Sequence, residues 1–319
     1  MITILNGFIY DAAQKDFVEN ETLEIASNLN IEIDAAGQYI MTGLTDMCAE
    51  CCPLYDKYYL LSGVTQVECP ADAADLSAEV SLNAVDAARD GVKYLKHASG
   101  ILQCLYDDYV PGDFERMFKH QTVDFDSAHL NSVLAQLKSY DVVLVPTLAL
   151  YRKNALGRIT VPDIEVIDVM RNDSEVTLDD VFESLEPGRT ANYKRYAEWA
   201  YSLMKIIAKR YMDIGGTVYI GTGAPAGIWN YPGVSMIEEL EIFNELGISK
   251  REVLYKAVVE PMAIVGKHEN FVVLGKNPLS SFQHLSSLNA VILDGNFYSR
   301  DDVLNDCVDP VAFNREFGG

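Results

Sequence analysis

In the middle of the chain, short apolar runs typical of strands alternate with longer segments in which apolar residues recur with the period of a helix. Short apolar runs rich in β-prone residues predict strands at residues 39–47, 63–69, 92–95, 142–147 and 217–222. Amphipathic periodicity of the helical kind covers residues 73–90, 127–139, 192–212, 236–245 and 250–266. Strands that alternate with helices are typical of a parallel sheet or a barrel.

The two ends of the chain have a different pattern, with short strands and turn signals between them. Residues 1–40 lack a helical segment, and residues 271–298 return to short strands with Asp294-Gly295 as a hairpin turn. We therefore expect both ends to contribute to one small sheet.

The charge excludes two classes of partner. The chain of 319 residues carries 25 Lys and Arg against 47 Asp and Glu, a net charge of −22 at pH 7. Because phosphate binding needs a basic surface, we expect no nucleic-acid partner. The same acidity argues against docking on an anionic membrane. The longest apolar stretch, residues 142–151, is interrupted by Pro146 and is far shorter than the ~18 residues of a membrane span.

Cysteine usage and the N-terminus predict a reduced, cytoplasmic protein. The N-terminal residues have neither a basic region nor a long apolar region, so no signal peptide is predicted. Three of the six cysteines, Cys48, Cys51 and Cys52, lie within five residues, which is a poor pattern for a disulfide framework.

Eight segments, in this order, resemble the amidohydrolase superfamily, in particular its imidazolonepropionase and prolidase-like branch. They are residues 33–47, 63–67, 90–97, 143–148, 216–222, 238–240, 246–254 and 277–279. The resemblance implies a TIM-barrel-like α/β fold over residues 41–266, with a composite β-sandwich built from residues 1–40 and 267–319. It also implies metal-assisted hydrolysis of C–N bonds, of non-peptide amides or dipeptides, at the C-terminal face of the barrel.

The sequence departs from this family at the positions that carry its chemistry. The resemblance implies His-x-His at the end of the first strand, where this chain has Cys48 and Glu50. It implies a proton-shuttling Asp where this chain has Gly223, so that His97 alone is retained. In a second alignment, Lys96 takes the place of the bridging lysine of the family.

These residues give two sets of candidates. Cys48, Glu50 and His97 could hold one divalent metal such as Zn²⁺, since thiolate, carboxylate and imidazole all bind zinc; the alternative is that no metal binds. His97 and Glu50 are also the catalytic candidates. Tyr151 and Arg152 lie just beyond one predicted strand and Glu68 lies at the end of another. Because these strand ends meet at the same face, we expect all three residues to contact a small-molecule substrate.

Several alternatives follow from the departures. The chain is a hydrolase by descent with a weakened metal site, or a pseudoenzyme that binds a small molecule or takes part in an assembly. Thiol chemistry at Cys48 and Cys51, which form a lone CxxC, is a third interpretation. Because five strands cannot close as eight do, we expect an open barrel with protected edges or a homo-oligomer that covers them.

Overall fold

The computed structural model describes residues 1–50, 52–68, 73–74, 83–97, 99–106, 128–157, 164–173, 175–266 and 269–308. The strands in these ranges are β1 Ile2–Asp11, β2 Asp16–Ile25, β3 Ile31–Asp34, β4 Tyr39–Thr42, β5 Leu44–Asp46, β6 Val64–Val67, β7 Ala73–Ala74, β8 Tyr94–Lys96, β9 Val143–Val145, β10 Thr217–Val218, β11 Phe271–Leu274, β12 Leu288–Leu293 and β13 Asn296–Ser299.

The helices in the same ranges are α1 Asp56–Leu61, α2 Ala84–Arg89, α3 Ser99–Leu105, α4 Ala128–Ser139, α5 Leu148–Leu156, α6 Ile164–Asn172, α7 Leu178–Leu185, α8 Ala191–Asp213, α9 Val234–Glu245, α10 Lys250–Val258, α11 Met262–Val265 and α12 Arg300–Leu304. Short 3₁₀ turns lie at Pro53–Tyr55, Glu186–Gly188 and Phe282–Ser286.

Both ends of the chain build one seven-stranded sheet, as the sequence predicts. Strand β1 pairs antiparallel with β2 along its whole length, and parallel with β3 and then β4 on its other side. Strand β4 pairs with β11, which leads into the hairpin of β12 and β13. The hairpin turn at Asp294-Gly295 is confirmed, with positive φ at both residues. A sandwich of two layers is not confirmed, and the domain boundaries stay a prediction.

The middle of the chain contributes six short parallel strands in two sheets. Strands β5 and β6 form one sheet, and the order in the other is β10-β9-β8-β7. The backbone N–H of Met47 donates to the carbonyl of Ile220 at 3.0 Å, so the chain after β5 runs beside the chain after β10. In the part of the chain that the structure describes, β6 and β7 do not pair, and the strands form no closed barrel.

Side chains of these strands alternate between two cores. Leu144 and Ile220 belong to the large core shared with the surrounding helices. Val145, which follows Leu144, and Tyr219, which precedes Ile220, belong to a small separate cluster with Met47. Alternation of period two places the members of the small cluster on the opposite face of the strands from the large core, where Val265 of α11 packs against them.

One predicted helix is shorter than expected. The Ala-rich stretch 73–90 predicts a single helix, but β7 occupies Ala73–Ala74 and pairs in parallel with β8. Helix α2 begins only at Ala84, where the Asn83 side chain accepts the backbone N–H of Asp86 at 2.9 Å. The pairing with β8 and this N-cap override the helix propensity of alanine. Residues 75–82 lie outside the described ranges.

Among the described helices, none has the length and apolar character that crossing a bilayer requires. The longest, α8, covers 23 residues and has charged and polar side chains along its exposed face.

Gly233 is required where α9 starts against α1. It has φ +73°, and a Cβ there would overlap the backbone carbonyl oxygen of Tyr58. We expect Gly233→Ala to lower the free energy of unfolding by about 3 kcal/mol or more, through backbone strain and overpacking together. Gly247→Ala is the matched control, because Gly247 has φ +88° with open space around it. It should lose only about 1 kcal/mol in urea unfolding; equal losses would contradict the packing argument.

Candidate functional site

The carboxyl ends of the parallel strands meet at one edge of the two sheets, which we call the mouth. In parallel α/β folds, this is the edge at which ligands bind. The residues of the mouth, each following a strand or the short segment after it, are Cys48, Glu50, Glu68, His97, Thr147 and Gly223.

Backbone hydrogen bonds hold three of these strand ends together. Gly223 N donates to the carbonyl of Cys48 at 2.5 Å, and Glu50 N donates to the carbonyl of Ala224 at 2.8 Å. On the other side, Ala49 N donates to the carbonyl of Glu68 at 3.3 Å. The segment after β5 therefore lies between the ends of β6 and β10, which fixes the order of these residues around the mouth.

Glycine is needed after β10 because the neighbouring strand end approaches so closely. A Cβ on Gly221 would lie 2.6 Å from the backbone nitrogen of Cys48. Gly223 has φ +67°, and a Cβ there would lie 3.2 Å from Cε1 of His97. The position at which the resemblance implies an Asp thus adjoins the His97 imidazole.

His97 is held on both its side chain and its backbone. Its Nδ1 lies 2.7 Å from Thr147 Oγ1, and its carbonyl accepts the Tyr151 hydroxyl at 2.7 Å. The hydroxyl of Thr147 donates to the carbonyl of Pro146 at 2.8 Å, so its oxygen accepts from Nδ1–H of His97. This arrangement makes Nε2 the acceptor nitrogen of the neutral ring. The backbone of His97 has φ +64°, and its N–H donates to Val145.

Glu68 is a buried carboxyl group at the end of β6. It is 4% exposed, and its Oε2 has no hydrogen-bond partner among the residues that the structure describes. Burial raises the pKa of Glu68, while the positive charge of Lys96 opposes the shift. The negative charge of Glu68 in turn adds to burial in raising the pKa of Tyr94. Tyr94 and Lys96 of β8 therefore interact electrostatically with Glu68, the residue that follows β6.

Asp46, which the sequence analysis did not single out, is the buried anchor of the mouth. Its carboxylate accepts the Thr222 hydroxyl at 2.6 Å and the Thr222 N–H at 2.9 Å, together with Cys48 N at 3.2 Å. Burial raises the pKa of Asp46 to about 6, although these hydrogen bonds oppose the shift. Its signal in the sequence was an Asp at the end of an otherwise uncharged, β-prone run, directly before the cysteines.

Glu239 was missed as a single residue, although the segment 238–240 was part of the resemblance. It is fully buried on α9, and its carboxylate accepts the backbone N–H groups of Leu148 and Ala149. Burial raises the pKa of Glu239 to about 8, against the effect of these two hydrogen bonds. A charged residue on the buried face of a helix was the available signal.

Tyr151 and Arg152 both lie on α5 but face different surroundings. Tyr151 reaches the mouth through its bond to His97. The guanidinium of Arg152 lies 3.6 Å from Glu238 and 3.4 Å from Glu245, both on α9. Their predicted contact with a substrate stays a prediction.

The donor set does not fit the divalent metal that the resemblance implies. Over the described ranges, no three or more His, Cys, Asp or Glu side chains are grouped so that they could hold a metal ion. Cys48, Glu50 and His97 are all described, and they do not form such a group. We therefore derive no chemical step through a metal. Cys51, the partner of Cys48 in the CxxC motif, lies outside the described residues.

Comparison with solved structures shows the fold. The chain matches bottromycin amidohydrolase with a TM-score of 0.61 at 14% identity, over 98% of this chain and 92% of that one. It matches a protein from Bifidobacterium longum assigned as a prolidase with a TM-score of 0.58 at 15% identity, over 96% and 98%. Ochratoxinase from A. niger gives 0.54 at 11% identity, over 98% of both chains. The chain has the fold of the amidohydrolase superfamily.

No protein-family model matches the sequence, and no curated protein matches it.

The raised pKa of Asp46 predicts a pH-dependent stability. An acid whose pKa is higher in the folded protein than in the unfolded chain holds its proton more tightly when folded, so stability falls as the pH rises between the two values. These values are 3.8 and about 6 for Asp46. Measured by urea unfolding against the Asp46→Asn variant, the stability of the wild-type chain should fall by about 2 kcal/mol from pH 4 to pH 6. A difference that stays flat or rises would contradict the burial of an ionisable Asp46.

Proposed function

We propose that the chain binds a small molecule at the mouth and hydrolyses a C–N bond in it. The main support is the mouth itself, where Glu68 and His97 lie together at the carboxyl ends of parallel strands. The fold adds support, because the solved structures that share it over more than 90% of both chains include an amidohydrolase and a protein assigned as a prolidase.

Glu68 is the group best suited to act as a general base. Its unpartnered oxygen can accept a proton or an N–H donor, and burial raises its pKa from its ordinary value toward neutrality. In this proposal, Glu68 takes a proton from a water molecule as the water oxygen attacks the carbonyl carbon of the bound amide. The C–N bond then breaks, and the proton passes to the leaving nitrogen, which gives a carboxylic acid and an amine.

Two neighbours contribute charge and hydrogen bonding. The Lys96 ammonium interacts with Glu68 and supplies positive charge where negative charge develops on the carbonyl oxygen. His97 presents Nε2 as an acceptor because Nδ1 donates to Thr147. An acceptor nitrogen suits an N–H or O–H group of the substrate.

Binding without turnover is the second candidate function. Three residues favour it: Cys48 and Glu50 stand where the resemblance implies two imidazoles, and Gly223 stands where it implies the proton-shuttling carboxylate. In this case the mouth retains the place of a substrate site at the carboxyl ends of the strands, and Glu68 serves to recognise a ligand N–H group.

Release of amine from a panel of N-acyl amino acids, dipeptides and lactams tests the proposal. We expect turnover by the wild-type chain and a fall in kcat of about 100-fold or more in Glu68→Gln, which keeps the shape but cannot accept a proton. Glu183→Gln, on the exposed face of α7, is the matched control and should keep full activity.

Three measurements on the same preparations separate the two candidates. The metal content is determined by elemental mass spectrometry, and activity is assayed after chelation and after addition of Zn²⁺ or Mn²⁺. Thermal stability is measured with each compound. A compound that stabilises the protein without amine release under any condition would overturn hydrolysis in favour of binding. Turnover that requires added metal would overturn the role given to Glu68.

A further inference from the structure

Helix α5 begins without a cap of its own. The first N–H groups of a helix have no partner inside it, and a Ser, Thr, Asp or Asn side chain at the N-cap usually accepts one of them. Thr147 occupies the N-cap of α5, but its side chain makes no capping hydrogen bond. The N–H groups of Leu148 and Ala149 are buried, so they need an acceptor from elsewhere.

Glu239 supplies that acceptor from α9. One carboxylate oxygen, Oε1, accepts the N–H of Leu148 at 2.9 Å, and the other, Oε2, accepts the N–H of Ala149. The side chain is 0% exposed, so the contact is shielded from water. The two N–H groups and the helix dipole favour the ionised form of this carboxyl group, and burial opposes it.

This replacement of the cap leaves the hydroxyl of Thr147 available for His97. Oγ1 of Thr147 lies 2.7 Å from Nδ1 of His97 instead of bonding into the first turn of α5. Thr147 has φ +49°, a left-handed conformation that a β-branched residue adopts only when its surroundings hold it there. The two N–H groups bound by Glu239 follow this residue directly.

A second contact runs from the same turn to the same histidine. Tyr151, in the first turn of α5, donates its hydroxyl to the carbonyl of His97 at 2.7 Å. The side chain and the backbone of His97 are thus both held by the start of α5, and Glu239 ties that start to α9.

We propose that Glu239 is a positioning residue: by capping α5 in place of Thr147, it fixes the orientation of His97 and keeps the proton of the neutral ring on Nδ1. The importance of His97 for turnover rests on the proposed function, whereas the positioning itself does not.

The neighbouring residue Glu238 provides a matched control. It lies on the same helix, is 9% exposed, and pairs with Lys153 at 2.7 Å and with Arg152 at 3.6 Å. In the described part of the chain, the N–H groups that begin α5 donate to Glu239 and not to Glu238. Glu238→Gln therefore makes the same carboxyl-to-amide change one residue away from Glu239.

The test is the ¹⁵N spectrum of the histidine rings in the full chain. The chain has five histidines, and His97→Gln assigns the His97 signals. We expect a protonated Nδ1 and an unprotonated Nε2 in the wild type and in Glu238→Gln. In Glu239→Gln, the amide –NH₂ cannot accept the second N–H, so the His97 signals should shift to a mixture of the two neutral forms. A folded Glu239→Gln with wild-type His97 signals overturns the proposal.

A second measurement keeps the proposal testable if Glu239→Gln does not fold. In the wild-type chain, the amides of Leu148 and Ala149 should exchange with solvent as slowly as the amides of the β9 core. Fast exchange at these two amides, beside slow exchange in β9, overturns the proposal. If the His97 signals shift in Glu239→Gln as expected but the wild-type chain shows no turnover, only the proposed function is contradicted.

Discussion

The hydrogen bonds between Asp46 and Thr222 join the two sheets of parallel strands at a point where the described strands do not pair. Asp46 ends β5, and Thr222 follows β10; the carboxylate accepts both the hydroxyl and the N–H of Thr222. A buried carboxylate costs free energy unless its lone pairs are used, and here three donors use them. Backbone hydrogen bonds donated by Gly223 and Glu50 continue this connection between the ends of β5 and β10 into the mouth.

Around these hydrogen bonds, the mouth has a rigid side, which contains two glycines, and a second side, which contains charged residues. On the rigid side, glycines at positions 221 and 223 let the chain after β10 approach Cys48 and His97 closely. On the second side, the positive charge of Lys96 acts on the buried carboxyl group of Glu68. Under the proposed function, strand ends fixed in this way hold Glu68 and His97 in place, which is the condition for preorganised acid–base chemistry.

The sequence predicted the fold better than it predicted the site, and the reason is physical. Alternation of apolar runs identified the parallel strands because period two and period 3.6 are local properties. The Ala-rich stretch at 73–90 failed because the pairing of Ala73–Ala74 with β8 depends on residues far along the chain. His97 and Glu68 could be placed because they lie at or just after the ends of predicted strands. Asp46 and Glu239 could not, because their partners, Thr222 and the start of α5, lie about 180 and 90 residues away.

The seven-stranded sheet also has a consequence for the order in which the chain can fold. Strand β4 pairs with β1 on one side and with β11 on the other, and β11 is made only after the whole central region. During synthesis, this edge of β4 therefore stays unpaired until β11 is made, near the beginning of the last sixth of the chain. Contacts of such high sequence separation slow folding and leave a strand edge open to pairing with other chains. The C-terminal strands thus act as the closing element of the fold, and truncation before β11 would leave that edge permanently exposed.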